Sequence, residues 1–311
     1  MHPVATPAPA AHRALPWIAL FAVGALWGLT GPLSKTALST GHCPVGIAFW
    51  NAALSAGLLG GWLTLRGARL PLGRGPLVFY AVCGFLGTAL PHSLSLRAYQ
   101  ELPIGIVVML VSAVPMATFL IALPVGLDRA TPARLAGLGL GMVAVAMIAL
   151  PDAGLPDPDQ RIWVALPVIV ALSYAAENVV IAHARPREMG PVTVLAGLSL
   201  GGFALLAPVA LATGAVFDIT AMGPAERATA GITLLHLGAY GGFIWLIGHA
   251  GPVFASQVGY VVTATGVVLG MALFGERHSL WVWGALALLF AGIALVKPRR
   301  AGAAFPAGES R

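Results

Sequence analysis

Glu177 is a carboxylate set in an apolar run, Ala171-Leu-Ser-Tyr-Ala-Ala-Glu-Asn-Val-Val-Ile181, with the amide of Asn178 beside it. An ionisable side chain at the centre of a bilayer helix costs roughly 2.5–3.5 kcal/mol on insertion scales, so such groups face a cavity or a partner and not lipid. A carboxylate there can hold a cation, pair with a base, or take up and release a proton. Two histidines lie in similar runs, His92 and His236. Imidazole titrates near neutral pH, so either could carry a coupling proton together with Glu177.

Helical spacing sorts the other polar residues into faces. Thr88, His92, Ser95 and Tyr99 fall at i, i+4, i+7 and i+11, one polar stripe. His236 and Tyr240 are i, i+4, as are Ser173 and Glu177. Ser256, Tyr260 and Thr263 form another stripe with Gln257 adjacent, and Trp27, Thr30 and Ser34 share a face with Lys35 one residue on. The candidates for lining a substrate cavity are therefore Trp27, Lys35, His92, Tyr99, Glu177, Asn178, His236, Tyr240, Gln257 and Tyr260, with Glu177, His92 and His236 as the proton-coupling set. Each also has a plain structural role open to it. Glu177 could pair with Lys35 or a histidine, Lys35 could snorkel to the outer surface, and the histidines and aromatics could pack between helices. Pro32, Pro91 and Pro115 sit inside apolar runs. Each removes an internal hydrogen bond and favours a kink, which beside a cavity is either a hinge or a static bend.

Other chemistries find no motif. There is no Gly-x-x-x-x-Gly-Lys-Ser/Thr loop, no His-Glu-x-x-His and no Gly-x-Ser-x-Gly, and the single carboxylates and histidines lack metal-ligand spacing. Cys43 and Cys83 form no metal spacing and no disulfide framework. No cofactor and no metal are expected, and the chain reads as a non-enzyme.

The elements that position these residues are membrane spans. The chain has 311 residues, 58% hydrophobic and 9% charged, with mean hydropathy +0.88. A soluble protein carries about 25% charged residues, so this is a polytopic membrane protein. The net charge of +6 is explained by basic loops, and no basic stripe with interleaved aromatics points to nucleic acid. A crossing helix needs about 20 mostly apolar residues. Breaks at Pro, Gly and charge give ten spans: 17–38, 45–65, 77–96, 104–123 and 133–150, then 164–184, 192–211, 228–247, 253–274 and 281–296. Disordered tails over 1–14 and 298–311, a first five-helix repeat over 15–150, a linker over 151–160 and a second repeat over 161–297 complete the expected organisation. With the N-terminus inside, Arg13, Arg66, Arg69, Arg74, Arg129, Arg134, Arg185, Arg187, Lys297, Arg299, Arg300 and Arg311 fall on the cytoplasmic side. Arg97, Arg161, Arg227 and Arg277 fall opposite, an asymmetry that sets the orientation. Gly137-Leu-Gly-Leu-Gly141 and Gly57-Leu-Leu-Gly-Gly61 suit close helix packing.

The halves echo each other. Ala25-Leu-Trp-Gly28 and Ala171-Leu-Ser-Tyr174 open them, Pro44-Val45 and Pro191-Val192 start the next spans, and Asp128-Arg-Ala-Thr131 matches Glu276-Arg-His-Ser279. Five is odd, so the second copy is inverted, a transporter signature with the binding site near the midplane. In order along the chain stand Leu26-Trp-Gly28 with Lys35, Ala98-Tyr-Gln-Glu-Leu-Pro103, Phe274-Gly-Glu-Arg277, and Gly284 with Gly292. This order resembles the drug/metabolite transporter superfamily, specifically its EamA-type members, over about residues 17–297. The resemblance implies a central cavity lined by the first, third, fourth, sixth, eighth and ninth spans, and the polar stripes fall on five of those six. Family members commonly carry an Arg after an aromatic in the second span. Here Phe49-Trp50 is followed by Asn51, so that charge is missing, and with it any role it has toward substrate anions.

The expectation is an all-α membrane protein of ten transmembrane helices in two inverted five-helix repeats. It is a secondary transporter of the bacterial inner membrane with both termini cytoplasmic, exporting or exchanging small metabolites by alternating access. Amino acids or related compounds are what the resemblance suggests. Efflux of hydrophobic cations or drugs is the alternative, and an intramembrane lipid-modifying enzyme a distant third. The expected partners are membrane lipid and a small-molecule substrate, with no nucleic acid, in a monomer or homodimer.

Overall fold

In hydrocarbon a backbone must satisfy its own polar groups, and a single segment does so only as a helix. The computed structural model describes residues 10–101, 107, 110–149, 162–163, 165–186, 188–274 and 280–298. The first span is α1 (Ala10–Gly28) and α2 (Thr30–Leu38), parted at Leu29. The second is α3 (Pro44–Leu65). The third joins α4 (Arg74–Gly84), a π-helical segment (Phe85–Ala89) and α5 (Leu90–Glu101). The fourth is described chiefly by α6 (Val114–Ala122), and the fifth is α7 (Pro132–Ala149). The second half runs α8 (Ala165–Ala184), α9 (Pro191–Ala212), α10 (Pro224–Ala250), α11 (Pro252–Ser256) with α12 (Val258–Phe274), and α13 (Leu280–Leu295). Six of these spans are long and apolar enough to cross a membrane on length and composition alone. The others are divided by breaks or fall partly outside the described residues.

Ala10 to Ala14 lie in the stretch expected to be a disordered tail, yet α1 begins at Ala10. Three alanines in five residues, with the highest helix propensity of any residue, extend the helix backward. The expected linker 151–160, residues 1–9 of the first tail and residues 299–311 of the last lie outside the described residues.

Of the three prolines expected inside spans, Pro91 lies within a continuous helical span and Pro32 and Pro115 stand in first turns of helices. Pro32 opens α2 after the break at Leu29, Pro91 follows the π segment at the start of α5, and Pro115 opens α6. At Pro32 and Pro115 the residue stands in a first turn and proline costs little. The third span runs on as helix through Pro91, whose missing N–H leaves the Leu86 carbonyl of the π turn without its donor.

Pairing of the spans exposes the architecture. The second span packs on the seventh, the fourth on the ninth and the fifth on the tenth. The first packs on the eighth and the sixth on the third. The first also meets the ninth, as the sixth meets the fourth, and the second meets the eighth, as the seventh meets the third. Advancing every number by five returns the same set, which is the relation expected of two copies around a two-fold axis. Lipid gives little hydrophobic drive between helices, so van der Waals packing and interhelical hydrogen bonds must hold them. A Cβ on Gly137 would come within 2.7 Å of the Gly292 carbonyl oxygen, and one on Gly292 within 2.7 Å of the Gly137 carbonyl oxygen. The fifth and tenth spans therefore touch backbone to backbone. The other glycine patch behaves differently, because nothing lies within 4 Å of Gly57, Gly60 or Gly61. Those three face outward.

Candidate functional site

The site begins with the π segment of the third span. One extra residue in the turn leaves carbonyls without their usual donors, and π segments recur at functional sites for that reason. Here Ser173 of α8 donates its hydroxyl to the Leu86 carbonyl at 2.6 Å. Four residues on, the Glu177 carboxylate lies against Gly87, so closely that a Cβ there would overlap it. Gly87 is thus the notch that admits the carboxylate, and Glu177 is 1% exposed.

Tyr240 of α10 donates its hydroxyl to Glu177 Oε1. His236, one turn earlier, stacks on the Tyr240 ring at 5.2 Å between centroids and 17° between planes. The His92 ring stands edge-on to His236 at 5.0 Å. Trp27 of α1 donates its indole Nε1–H to His236 Nδ1 at 3.1 Å, and packs against Tyr240 and Phe243 at 5.7 and 5.2 Å. Indole nitrogen only donates. His236 Nδ1 must therefore accept, which puts the proton of the neutral ring on Nε2 (an assignment from the hydrogen bond, not an observed hydrogen). A cluster of Glu177, Tyr240, His236, His92 and Trp27 results, drawn from the first, third, sixth and eighth spans.

Beside it lies a cavity of about 220 Å³. Its wall takes Trp27 and Thr30 from the first span, Ser112 from the fourth, Tyr174, Glu177 and Asn178 from the sixth, His236, Tyr240 and Phe243 from the eighth, and Ser256 and Thr263 from the ninth. Two bonds between the wall helices fix its shape: Asn178 Nδ2 donates to Thr118 Oγ1 at 3.2 Å, and the Ser112 and Thr263 hydroxyls share a bond of 3.0 Å. Such interhelical bonds average about 0.6 kcal/mol each.

Of the residues expected to line a cavity, Trp27, Glu177, Asn178, His236 and Tyr240 are brought together here. His92 backs the cluster from the third span. Gln257 and Tyr260 are corrections. Gln257 is fully buried with its amide toward the Phe254 and Val296 carbonyls, and Tyr260 packs on Gly141 of the fifth span. The helix breaks at Gln257 between α11 and α12, and the cavity-facing positions beyond it are Val258, Gly259, Val262 and Thr263, which leaves Tyr260 on another face of the helix. The side chains of Lys35 and Tyr99 lie outside what the structure describes. Among the described residues no group of three or more His, Cys, Asp or Glu could hold a metal.

Sequence reading noted Asn51 for the charge missing there and did not single out Ser55 or Ser199, on second and seventh spans that are almost purely apolar. These three residues meet Thr88, His92, His236 and Tyr240 around a second, very small space of about 10 Å³. Asn51 and Ser55 are i, i+4, so the sequence did carry a short signal for them. Ser199 stands alone on its face, and only the pairing of the second and seventh spans shows that the three meet.

The profile of the EamA-like transporter family matches residues 15–150 and again 161–297. The chain is 26% identical over 300 residues to the "Uncharacterized inner membrane transporter YedA" of Escherichia coli (strain K12), covering 89% of each chain. Proteins of the same description in Escherichia coli O6:H1 and O157:H7 match to the same extent. A solved structure described as "Crystal structure of protein" superposes with a TM-score of 0.70 at 17% identity, covering 91% of this chain and 96% of that one, which establishes the shared fold.

Proposed function

This chain belongs to the EamA-like transporter family and is a multi-pass inner-membrane transporter, and on that premise we propose that it exports or exchanges a small polar or amphipathic metabolite by alternating access. The observation that carries the reading is the cavity between the halves with Glu177 in its wall. Its volume of about 220 Å³ falls below the roughly 300–1,000 Å³ typical of ligand pockets, which favours a compact substrate over a bulky drug. Amino acids or related compounds fit that size and the hydroxyl and amide groups on the wall. Glu177, His92, His236 and Tyr240 stand in the interiors of their spans, and Glu177, His236 and Tyr240 converge on one cavity, which supports transport over lipid chemistry. The excess of Lys and Arg in alternate loops supports cytoplasmic termini, and the transporter is read as a monomer or homodimer.

Glu177 is the proposed coupling group, with His236 and His92 as its proton-exchanging neighbours. Glu177→Gln keeps the shape and the acceptor for Tyr240 while removing the titratable proton. We expect the variant to fold and to lose transport driven by a pH gradient in proteoliposomes. Unchanged pH dependence rejects the role.

A second reading has its own observation. One carboxylate faces the cavity together with Trp27, Tyr174, Tyr240 and Phe243, and aromatic faces attract cations. Efflux of a small organic cation would show as resistance to cationic dyes on overexpression, lost in Glu177→Gln. Dye sensitivity unaltered by overexpression discards it.

A further inference from the structure

The polar space behind the cluster is not part of the cavity, though His236 and Tyr240 wall both. Asn51, Ser55, Thr88 and Ser199 line it, each nine-tenths or more buried, and among the described residues no hydrogen bond of the protein uses their side chains. Their polar atoms open on the small space and are not fully sealed, unlike Gln257 Oε1 and Tyr260 OH, the buried unpaired side-chain atoms among the described residues. Polar groups facing such a space are commonly paired with water. A volume of about 10 Å³ is what one water needs when two to four polar partners surround it. His92 lies on the same wall, likewise without a hydrogen-bond partner among the described residues. His236 has its Nδ1 taken by Trp27 on the cavity side, which leaves Nε2–H as the one proton it can give away from the cavity.

We propose that this pocket holds one water molecule, fixed by Asn51, Ser55, Thr88 and Ser199, which takes a proton from His236 and passes one to His92, and that Trp27 blocks the path until it releases His236 Nδ1. When Trp27 swings away, Nδ1 accepts a proton from the cavity, Nε2 gives its proton to the water, and the water gives one to His92. Every centre but His92 ends with the charge it began with, and His92 returns to neutral by giving its extra proton to water on the side away from the cavity before the next proton follows. Trp27 is also cavity wall, so an occupant that displaces its indole opens the path. The titratable groups around this route are His92 and Cys83 from the third span, Glu177 and Tyr174 from the sixth, and His236 and Tyr240 from the eighth. The second and seventh spans contribute only neutral side chains to the pocket.

The proposal rests on reading the site as proton-coupled, but its test uses no substrate and so stands or falls apart from the transport test on Glu177. Proteoliposomes loaded with a pH-sensitive dye receive an acid step with potassium and valinomycin present to cancel the membrane potential. Trp27→Phe keeps the ring and loses the N–H. We expect it to admit protons several-fold faster than wild type, and Asn51→Leu or Ser55→Ala/Ser199→Ala added to it to restore the wild-type rate. Melting temperatures of every variant confirm folding. Proton entry in Trp27→Phe no faster than in wild type overturns the proposal, as does fast entry that survives both pocket variants. A sodium-specific rise in the wild-type melting temperature that Asn51→Leu abolishes also overturns it, since the pocket would then be a cation site.

Discussion

Tyr240 decides what the buried carboxylate can do, because its hydroxyl is the donor that reaches Glu177. A buried acceptor stripped of its donor costs about 1–3 kcal/mol. Tyr240→Phe should therefore lower stability by about that much in detergent unfolding. Combined with Glu177→Leu, which removes the acceptor as well, the loss should be smaller than the sum of the two singles. Additive losses in that cycle would mean that the two groups do not depend on each other. The residue scale is also where the sequence was most legible. Lipid's intolerance of charge picks out Glu177 with no knowledge of its neighbours, and helical spacing picks out His236 with Tyr240. That the two histidines touch at 5.0 Å could not be read, since contact between spans 144 residues apart leaves no local trace.

Single helices explain why the cluster fits. The π segment and Gly87 make a notch in the third span, and the ladder disturbed there is partly repaired from the sixth by Ser173. Gly87→Ala places a methyl group where the carboxylate lies. We expect a loss of about 1–3 kcal/mol, the usual cost of overpacking, together with loss of transport. Gly57→Ala, on a face with nothing within 4 Å, should leave transport intact and gain up to about 1 kcal/mol from helix propensity. Equal effects at the two glycines in a thermal-shift assay would dismiss the notch. The comparison also shows what composition hides. Gly57 to Gly61 and Gly137 to Gly141 read alike as sequence, yet only Gly137 and Gly141 of these meet a neighbour, because nothing local tells a helix which of its faces will be covered. Span ends were more readable: Pro44, Pro191, Pro224 and Pro252 each stand at the start of a helix, where proline is favoured.

At the scale of the whole molecule, orientation is the open quantity, and the chain carries its own reporter. Cys43 is exposed in the loop between the first and second spans, and Cys83 is buried in the core. With the N-terminus in the cytoplasm, that loop faces the periplasm. A membrane-impermeant maleimide should then label the wild type in intact spheroplasts and leave Cys43→Ser unlabelled. Labelling of wild type only after lysis would reverse the orientation. Charge counting could propose the answer, because loop arginines act individually during insertion. The interlocking of the spans could not be proposed in the same detail, since it is a property of pairs.

That interlocking has a consequence for ancestry. The principal seams of the bundle join a helix of one half to a helix of the other: second to seventh, fifth to tenth, first to eighth and third to sixth. A five-helix ancestor would have had most of its contact surface uncovered until it met a copy of itself lying upside down in the same bilayer. Fusing two such copies fixes by peptide bond a partnership that membrane insertion alone would have to achieve by chance, and frees each half to diverge, so that a lone carboxylate could arise at 177 without a twin in the first half.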